Sequence, residues 1–354
     1  MKSYVISHCS SAGYSPFRHF PVIVAPLAFR CRHMPEDCGT SLMIRTGIMV
    51  LHALILVVSI FMLWFGAKYL VESAGRIAES LGISELVIGL TVVAFGTSAP
   101  EFAVTVGAAL KGQADISVSN IVGSNIFNLG FILGTVAIVK SITSSRKLVY
   151  RDGVFMIAIT FMLLLFFRDL HLSRIEGIIL FTLLIAYLFF LFLKKEVLEE
   201  EEIPGEKATW KDYCILPASI AGVVAGGHFL VESASAIAAA MGVSPWVIGV
   251  TIVAAGTSAP EMATSLAAVI KGKHGMSAGN LIGSDIFNIL GVLGIAGIFN
   301  PMSIPAAGYS SLIMLSGMVI LVMFFLRTGW RLSRIEGIIL VSIGLVRWIF
   351  DFMQ

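Results

Sequence analysis

The residues best placed to do chemistry are two glutamates in matching six-residue stretches. Gly96-Thr97-Ser98-Ala99-Pro100-Glu101 returns as Gly256-Thr257-Ser258-Ala259-Pro260-Glu261, at an offset of 160. Each stretch interrupts an otherwise apolar run, residues 86–110 and 247–270. A carboxylate at that depth of a bilayer is costly, and by default it marks a functional site. Pro100 removes a backbone donor and clashes with the preceding turn, so residues 96–100 are expected to unwind and free the carbonyls of Ala94 to Thr97. A half-helix then starts, with Thr97 or Ser98 near its cap and Pro100 near its first position. Glu101 falls in the first turn, where the helix dipole favours a negative charge. Unwound backbone at this depth must be buried in protein or line a wet cavity. Carbonyl, hydroxyl and carboxylate oxygens together are the ligands that hard cations take. A proline kink rescued by Ser and Thr would explain one such stretch without its glutamate. The repetition of the ionisable group in both halves argues against that simpler account.

A second pair of stretches adds neutral oxygens. Gly123-Ser124-Asn125-Ile126-Phe127-Asn128 is matched by Gly283-Ser284-Asp285-Ile286-Phe287-Asn288. Ser124 and Asn128 are four apart and share a helix face, as do Ser284 and Asn288. We read these four as ligands. The glycines, spaced four from Ser119 and Gly279, fit close helix packing instead. Asp285 faces either the edge of the cavity or away from it. Glu72 and Glu232 fit interfacial positions. Ser173 with Glu176, and Ser333 with Glu336, fit the Ser-x-x-Glu box that caps a helix start. A hydrolytic role for Ser98 or Ser258 would need an oriented base, and these spans hold no central His or Lys.

These residues must be positioned by membrane helices. Hydrophobic residues make up 57% of the 354 and charged ones 13%, well below the quarter typical of soluble domains. The net charge of +2 and the absence of a basic block give no sign of a nucleic-acid partner; the lipid bilayer is the expected surrounding. The four cysteines show no paired spacing, so neither a disulfide framework nor a cysteine metal site is indicated. Apolar runs of about twenty residues between polar breaks predict ten spans. They lie at 47–70, 86–110, 116–139, 154–167 and 175–193, then at 213–234, 247–270, 277–299, 310–326 and 335–352. Residues 1–46 form a tail, 47–193 a first five-helix repeat, 194–211 an acidic connector, and 212–354 a second repeat. The register holds without a gap: Ser173 to Leu180 equals Ser333 to Leu340. Five is odd, so the second repeat enters the bilayer from the opposite side, and inverted repeats are the architecture of secondary transporters. Lys and Arg concentrate in loops that include 140–151 and 194–211. That bias places the connector in the cytoplasm and both termini outside a cell membrane.

At these residues the chain resembles the sodium/calcium exchanger family, within the wider calcium/cation antiporters, from about Gly47 to the C-terminus. The resemblance implies an all-α fold of ten transmembrane helices in two inverted repeats, with the second, third, seventh and eighth enclosing the ions. It implies that Glu101 and Glu261 bind calcium with help from the Thr97 and Thr257 carbonyls. Ser98 and Ser258 would serve sodium, and Ser124, Asn128, Ser284 and Asn288 match polar positions of the third and eighth helices. The first and sixth helices would slide across this core. Many relatives carry Asp where Asn128 or Asn288 stands, so the core charge is expected to be −2, from the glutamates alone. The reading is a monomeric antiporter of sodium and calcium with no organic cofactor and no enzymatic activity. A calcium/proton exchanger is the alternative, and a passive cation channel a further one.

Overall fold

The structure, a computed structural model, describes residues 37–193, 207–243, 252 and 254–353. The chain divides into two units, Met1–Arg45 and Thr46–Gln354. In the first, residues 37–45 are helical. The second holds every other described element. The expected tail up to residue 36, residues 194–206 of the connector, and residues 244–251 and 253 of the seventh span lie outside the described residues.

The described chain is helical apart from two ladders of two-residue strands. Its helices are α1 (Gly47–Leu81), α2 (Glu85–Thr97), α3 (Ala99–Leu110), α4 (Ile116–Val139), α5 (Leu148–Asp169), α6 (Arg174–Leu193), α7 (Trp210–Ala240), α8 (Ala259–Ile270), α9 (His274–Phe299), α10 (Gly308–Trp330) and α11 (Arg334–Met353). Among the described residues, seven helices are long and apolar enough to cross a membrane, and α2 and α3, bent by 52° at the break between them, make an eighth when counted as one span. This is a multi-pass membrane protein.

Several spans run longer than their apolar stretches, because charged residues at their ends find partners. Helix α1 continues to Leu81, where Glu72 pairs with Lys271 and Arg76 reaches Asp212 at 2.5 Å. Helix α5 begins at Leu148, six residues early, with Arg151 paired to Asp152 at 2.7 Å and Tyr187 donating to the same carboxylate at 2.8 Å.

Helices α4 and α9 sit at the centre: 72% and 83% of their most apolar windows are buried, against 11% for α1 and 22% for α7. Glycines set the spacing around them. A Cβ on Gly283 would lie 2.7 Å from the Leu90 Cα, and one on Gly279 2.7 Å from the Leu86 carbonyl oxygen. Helices α2 and α9 therefore meet backbone to backbone, as the small-residue spacing predicts.

Other contacts occur twice at the 160-residue offset. A Cβ on Gly337 would lie 2.7 Å from the Gly134 oxygen, and one on Gly177 2.9 Å from the Gly294 oxygen. Ile142–Thr143 pairs antiparallel with Arg331–Leu332, and His171–Leu172 with Met302–Ser303. Both capping boxes form: Ser173 and Ser333 each donate their backbone N–H to the glutamate three residues on, at 2.7 Å.

Candidate ion site

The helix break at each glutamate is narrower than the proline suggests. The backbone stays helical to Thr97, leaves the helix at Ser98 alone (φ −78°, ψ 9°), and resumes at Ala99. The second copy does the same at Ser258 (φ −89°, ψ 10°). The expected unwinding of residues 96–100 is thus corrected to a one-residue kink. Pro100 falls within the first two positions of α3, where a missing N–H leaves no bond unmade. The Ala94 carbonyl is not freed either, since it accepts from the Ser98 N–H at 3.0 Å. The kink aims Glu101 and Glu261, each in the first turn of its half-helix, inward, and both are buried.

The two halves then exchange hydrogen bonds. Ser258 donates to Glu101 Oε1 at 3.0 Å, and Ser98 donates to Glu261 Oε1 at 3.2 Å. Each serine that closes one half-helix therefore holds the carboxylate of the other. Thr97 donates to Asn280 Oδ1 at 3.1 Å and lies 3.4 Å from the Ser284 hydroxyl. The Thr257 hydroxyl stands beside Glu101, and the Thr97 hydroxyl beside Glu261. Asn280 is anchored in turn by donating to Ser265 Oγ at 2.9 Å, and Asn120 mirrors this on Thr105 Oγ1 at 2.9 Å.

Helices α4 and α9 contribute a buried polar layer. Asn128 donates to Asp285 Oδ1 at 2.9 Å, and Asn288 donates to Asn125 Oδ1 at 3.0 Å. Asn125 also donates to the Asp285 main-chain oxygen at 3.1 Å. Ser124 is buried one turn before Asn128, but among the described residues no hydrogen bond joins it to this cluster. So the structure gathers Glu101, Glu261, Thr97, Thr257, Ser98, Ser258, Asn128, Asn288 and Ser284 about one region, and leaves Ser124 beside it.

Donors and acceptors are out of balance here. Glu101 Oε2, Glu261 Oε2, Asp285 Oδ2, Asn128 Oδ1 and Asn288 Oδ1 are all buried and accept no hydrogen bond. Buried acceptors without donors are rare and costly in folded proteins. Five such oxygens in one region fit the oxygen set that a hard cation takes. No group of three His, Cys, Asp or Glu side chains forms a conventional metal cage among the described residues, so neutral oxygens must complete any coordination.

Three residues that the sequence alone did not assign belong here: Asn125, Asn280 and Asp285. The repeat offered a signal for all three, since Asn120 aligns with Asn280 and Asn125 with Asp285. Asp285, whose direction the sequence left open, is fully buried and accepts from Asn128, with Glu261 the charged group acting on it.

Comparison with known proteins supports this picture. The sequence model of the family described as sodium/calcium exchanger protein matches the chain twice, over residues 51–193 and 211–349. The chain is 37% identical to CaxA of Alkalimonas amylolytica over 306 residues, which is 83% of this chain and 96% of that protein. It is 33% identical to sodium/calcium exchanger MaX1 of Methanosarcina acetivorans over 334 residues, covering 81% of this chain and 95% of that one. Its fold superposes on the sodium-calcium exchanger NCX_Mj soaked with 10 mM Na+ and zero Ca2+, with a TM-score of 0.76 at 30% identity, over 84% of this chain and 98% of that one.

Proposed function

This chain belongs to the sodium/calcium exchanger family, and we propose that it exchanges sodium for calcium across a cell membrane, with Glu101 and Glu261 as ligands shared by both ions. The observation that carries this reading is the crossed pair of bonds, Ser258 to Glu101 and Ser98 to Glu261, each of which leaves one carboxylate oxygen buried and without a donor. Two carboxylates that face one another in the core, with hydrogen bonds only from neutral groups, repel each other. Bound cations remove that repulsion. A helix rearrangement across an apolar bilayer is then favourable only when the core is filled, which links the movement of one ion to the return of the other.

The fold we propose is ten transmembrane helices in two inverted repeats. Its support is the contacts that recur at the 160-residue offset: the two strand ladders, the two glycine crossings and the two capping boxes. Peripheral α1 and α7 are the elements free to slide past the central four. The chain acts as a monomer without organic cofactor, with both termini outside and the acidic connector in the cytoplasm.

The test is radioactive calcium uptake into proteoliposomes loaded with sodium, set against potassium-loaded vesicles and vesicles carrying a pH gradient. Uptake that requires internal sodium is the expected result. Uptake driven by the pH gradient alone would replace sodium by protons, and uptake without any counter-ion would make the protein a channel.

A further inference from the structure

The two strand ladders share one backbone form and differ in their side chains. The turn before each includes a residue with positive φ, Trp330 at 55° in one and Leu170 at 62° in the other. Residues 140–151 and 327–334, joined by the first ladder, hold seven Lys or Arg and no Asp or Glu. At the 160-residue offset, residues 300–311 hold no Lys or Arg, and Ala306, Phe167, Leu170 and Ser310 stand where Arg146, Arg327, Trp330 and Tyr150 do. The same ladder thus forms without these side chains, so the fold does not require them. Two of the arginines stack on one indole: the Arg327 and Arg146 guanidinium carbons lie 4.6 and 5.7 Å from the centre of the Trp330 ring. Arg327 also stands 5.8 Å from the centre of the Tyr150 ring and donates from Nε to its hydroxyl at 2.5 Å. The Trp330 main-chain oxygen accepts from the Ser144 N–H at 2.8 Å, which fixes Trp330 against the loop that carries Arg146. Of the carboxylates nearby, Asp152 is held by Arg151, and Glu336 by Ser333 and Thr328. Arg146, Arg327 and Arg331 are exposed, and among the described residues none of them makes an ion pair. Tyr150 lies in the first turn of α5, and Arg327 and Trp330 in the last turn of α10, the level at which aromatic side chains meet lipid headgroups. One turn further along these helices, Val154 and Phe324 are exposed and apolar.

We propose that this cluster binds the phosphate of an anionic phospholipid, with Arg146 and Arg327 gripping the headgroup and Val154 and Phe324 beside the acyl chains. A planar guanidinium offers paired donors to a phosphate, and stacking on a ring holds that fork in place. Two cations on one ring repel each other, and an anion between them removes the repulsion. The bound lipid bridges residues 140–151 to 327–334 and so ties α5 to α10. In the orientation proposed above, this is the cytoplasmic leaflet, where anionic lipids attract basic segments. The inference is independent of which ions the core exchanges.

The test is quenching of tryptophan fluorescence by dibrominated phosphatidylglycerol, compared with dibrominated phosphatidylcholine, in detergent micelles holding the full chain. Trp330→Phe, which keeps an aromatic ring in place, gives the share of the signal that belongs to Trp330. The expected result is half-saturation at an about 30-fold lower mole fraction of phosphatidylglycerol, from about fivefold for each of two arginines. Arg146→Ala with Arg327→Ala should abolish the difference between the lipids. Arg146→Lys with Arg327→Lys keeps the charge, loses the fork and should remove most of the difference. Arg168→Ala with Arg174→Ala, beside the other ladder, should leave it unchanged. Equal quenching by the two lipids in the unaltered protein overturns the proposal, and this arm needs no variant to fold. A preference of full size in the double lysine variant overturns it too, because diffuse charge would then account for the attraction. Release of the brominated lipid by an equal concentration of inorganic phosphate would assign the cluster to a soluble anion and overturn the lipid reading.

Discussion

Glu261→Gln separates the two roles a core carboxylate can have. Gln keeps the shape and leaves Ser98 an acceptor at the position of Oε1, 3.2 Å away. It replaces the unpartnered Oε2 by an NH2 group and removes one charge. For unit charges about 4 Å apart at an effective dielectric constant of 20, the interaction is about 4 kcal/mol. A divalent ion loses twice that and a sodium ion loses it once, so calcium is penalised over a single sodium by about 4 kcal/mol. Relaxation and water entry reduce this, and half the value still corresponds to about 30-fold in relative affinity, the full value to about 1,000-fold. The assay is calcium binding to the purified protein by calorimetry with sodium as competitor, alongside vesicle uptake. The same substitution should raise, not lower, the thermal stability of the ion-free protein. Glu261 is the carboxylate whose charge acts on both Glu101 and Asp285, so its neutralisation relieves two repulsions. A calcium-to-sodium preference unchanged within about threefold, or a lower midpoint of unfolding without ions, would refute the reasoning.

Three further outcomes are expected from the packing. Gly283→Ala should destabilise by about 1–3 kcal/mol, since its Cβ would stand 2.7 Å from the Leu90 Cα and only backbone movement can make room; denaturation of the purified protein in detergent measures it. Ser173→Ala and Ser333→Ala should each cost about 1 kcal/mol by the same method, because both remove the same capping bond to Glu176 or Glu336. Lys271→Ala and Glu72→Ala should shift calcium affinity by the same small amount and should not add when combined. The pair is partly exposed, at 26% and 30%, and worth about 0.2–1 kcal/mol; high salt should erase the difference in a double-mutant comparison of uptake.

The parts of this molecule that local physics decides were legible in the sequence. A proline-kinked apolar run with a glutamate after the break, present twice, announces a pair of buried carboxylates, and Ser-x-x-Glu before an apolar run announces a helix start. The extent of the kink was not legible, because Pro100 is harmless in the first turn of α3 and Ser98 keeps its bond to Ala94. The end of α1 was placed too early because a charge beyond its apolar stretch has a distant partner, Arg76 in Asp212, 136 residues away. The orientation of Asp285 was open for a geometric reason. Adjacent helical residues point about 100° apart, so Ser284 facing the cavity said nothing about its neighbour until the rotation of α9 against α4 was known.

The one-sidedness of the ion pairs has a consequence for how such a repeat can work. Glu72–Lys271, Glu85–Lys273 and Arg76–Asp212 tie α1 and the start of α2 to α7 and to the loop between α8 and α9. At the 160-residue offset the positions of Arg76, Glu85, Lys273 and Asp212 hold Ala236, Pro245, Gln113 and His52, which cannot form the same pairs. Glu232, the counterpart of Glu72, is exposed and lies near His228 of its own helix, at 3.8 Å. Two inverted halves of identical sequence would make the two opposite-facing states equal in energy by symmetry. The pairs Arg76–Asp212 and Glu85–Lys273, whose counterpart positions carry no matching charges, break that equality. Glu72–Lys271 and Glu85–Lys273 are partly exposed and individually weak, about 0.2–1 kcal/mol each, while Arg76–Asp212 has a buried carboxylate, so the joint bias is of the order of 1–3 kcal/mol. That is enough to set which face is closed at rest, and small enough for filling the core to overcome. Stronger, fully buried pairs at the same places would hold one state at all times, and an exchanger built on them would stop.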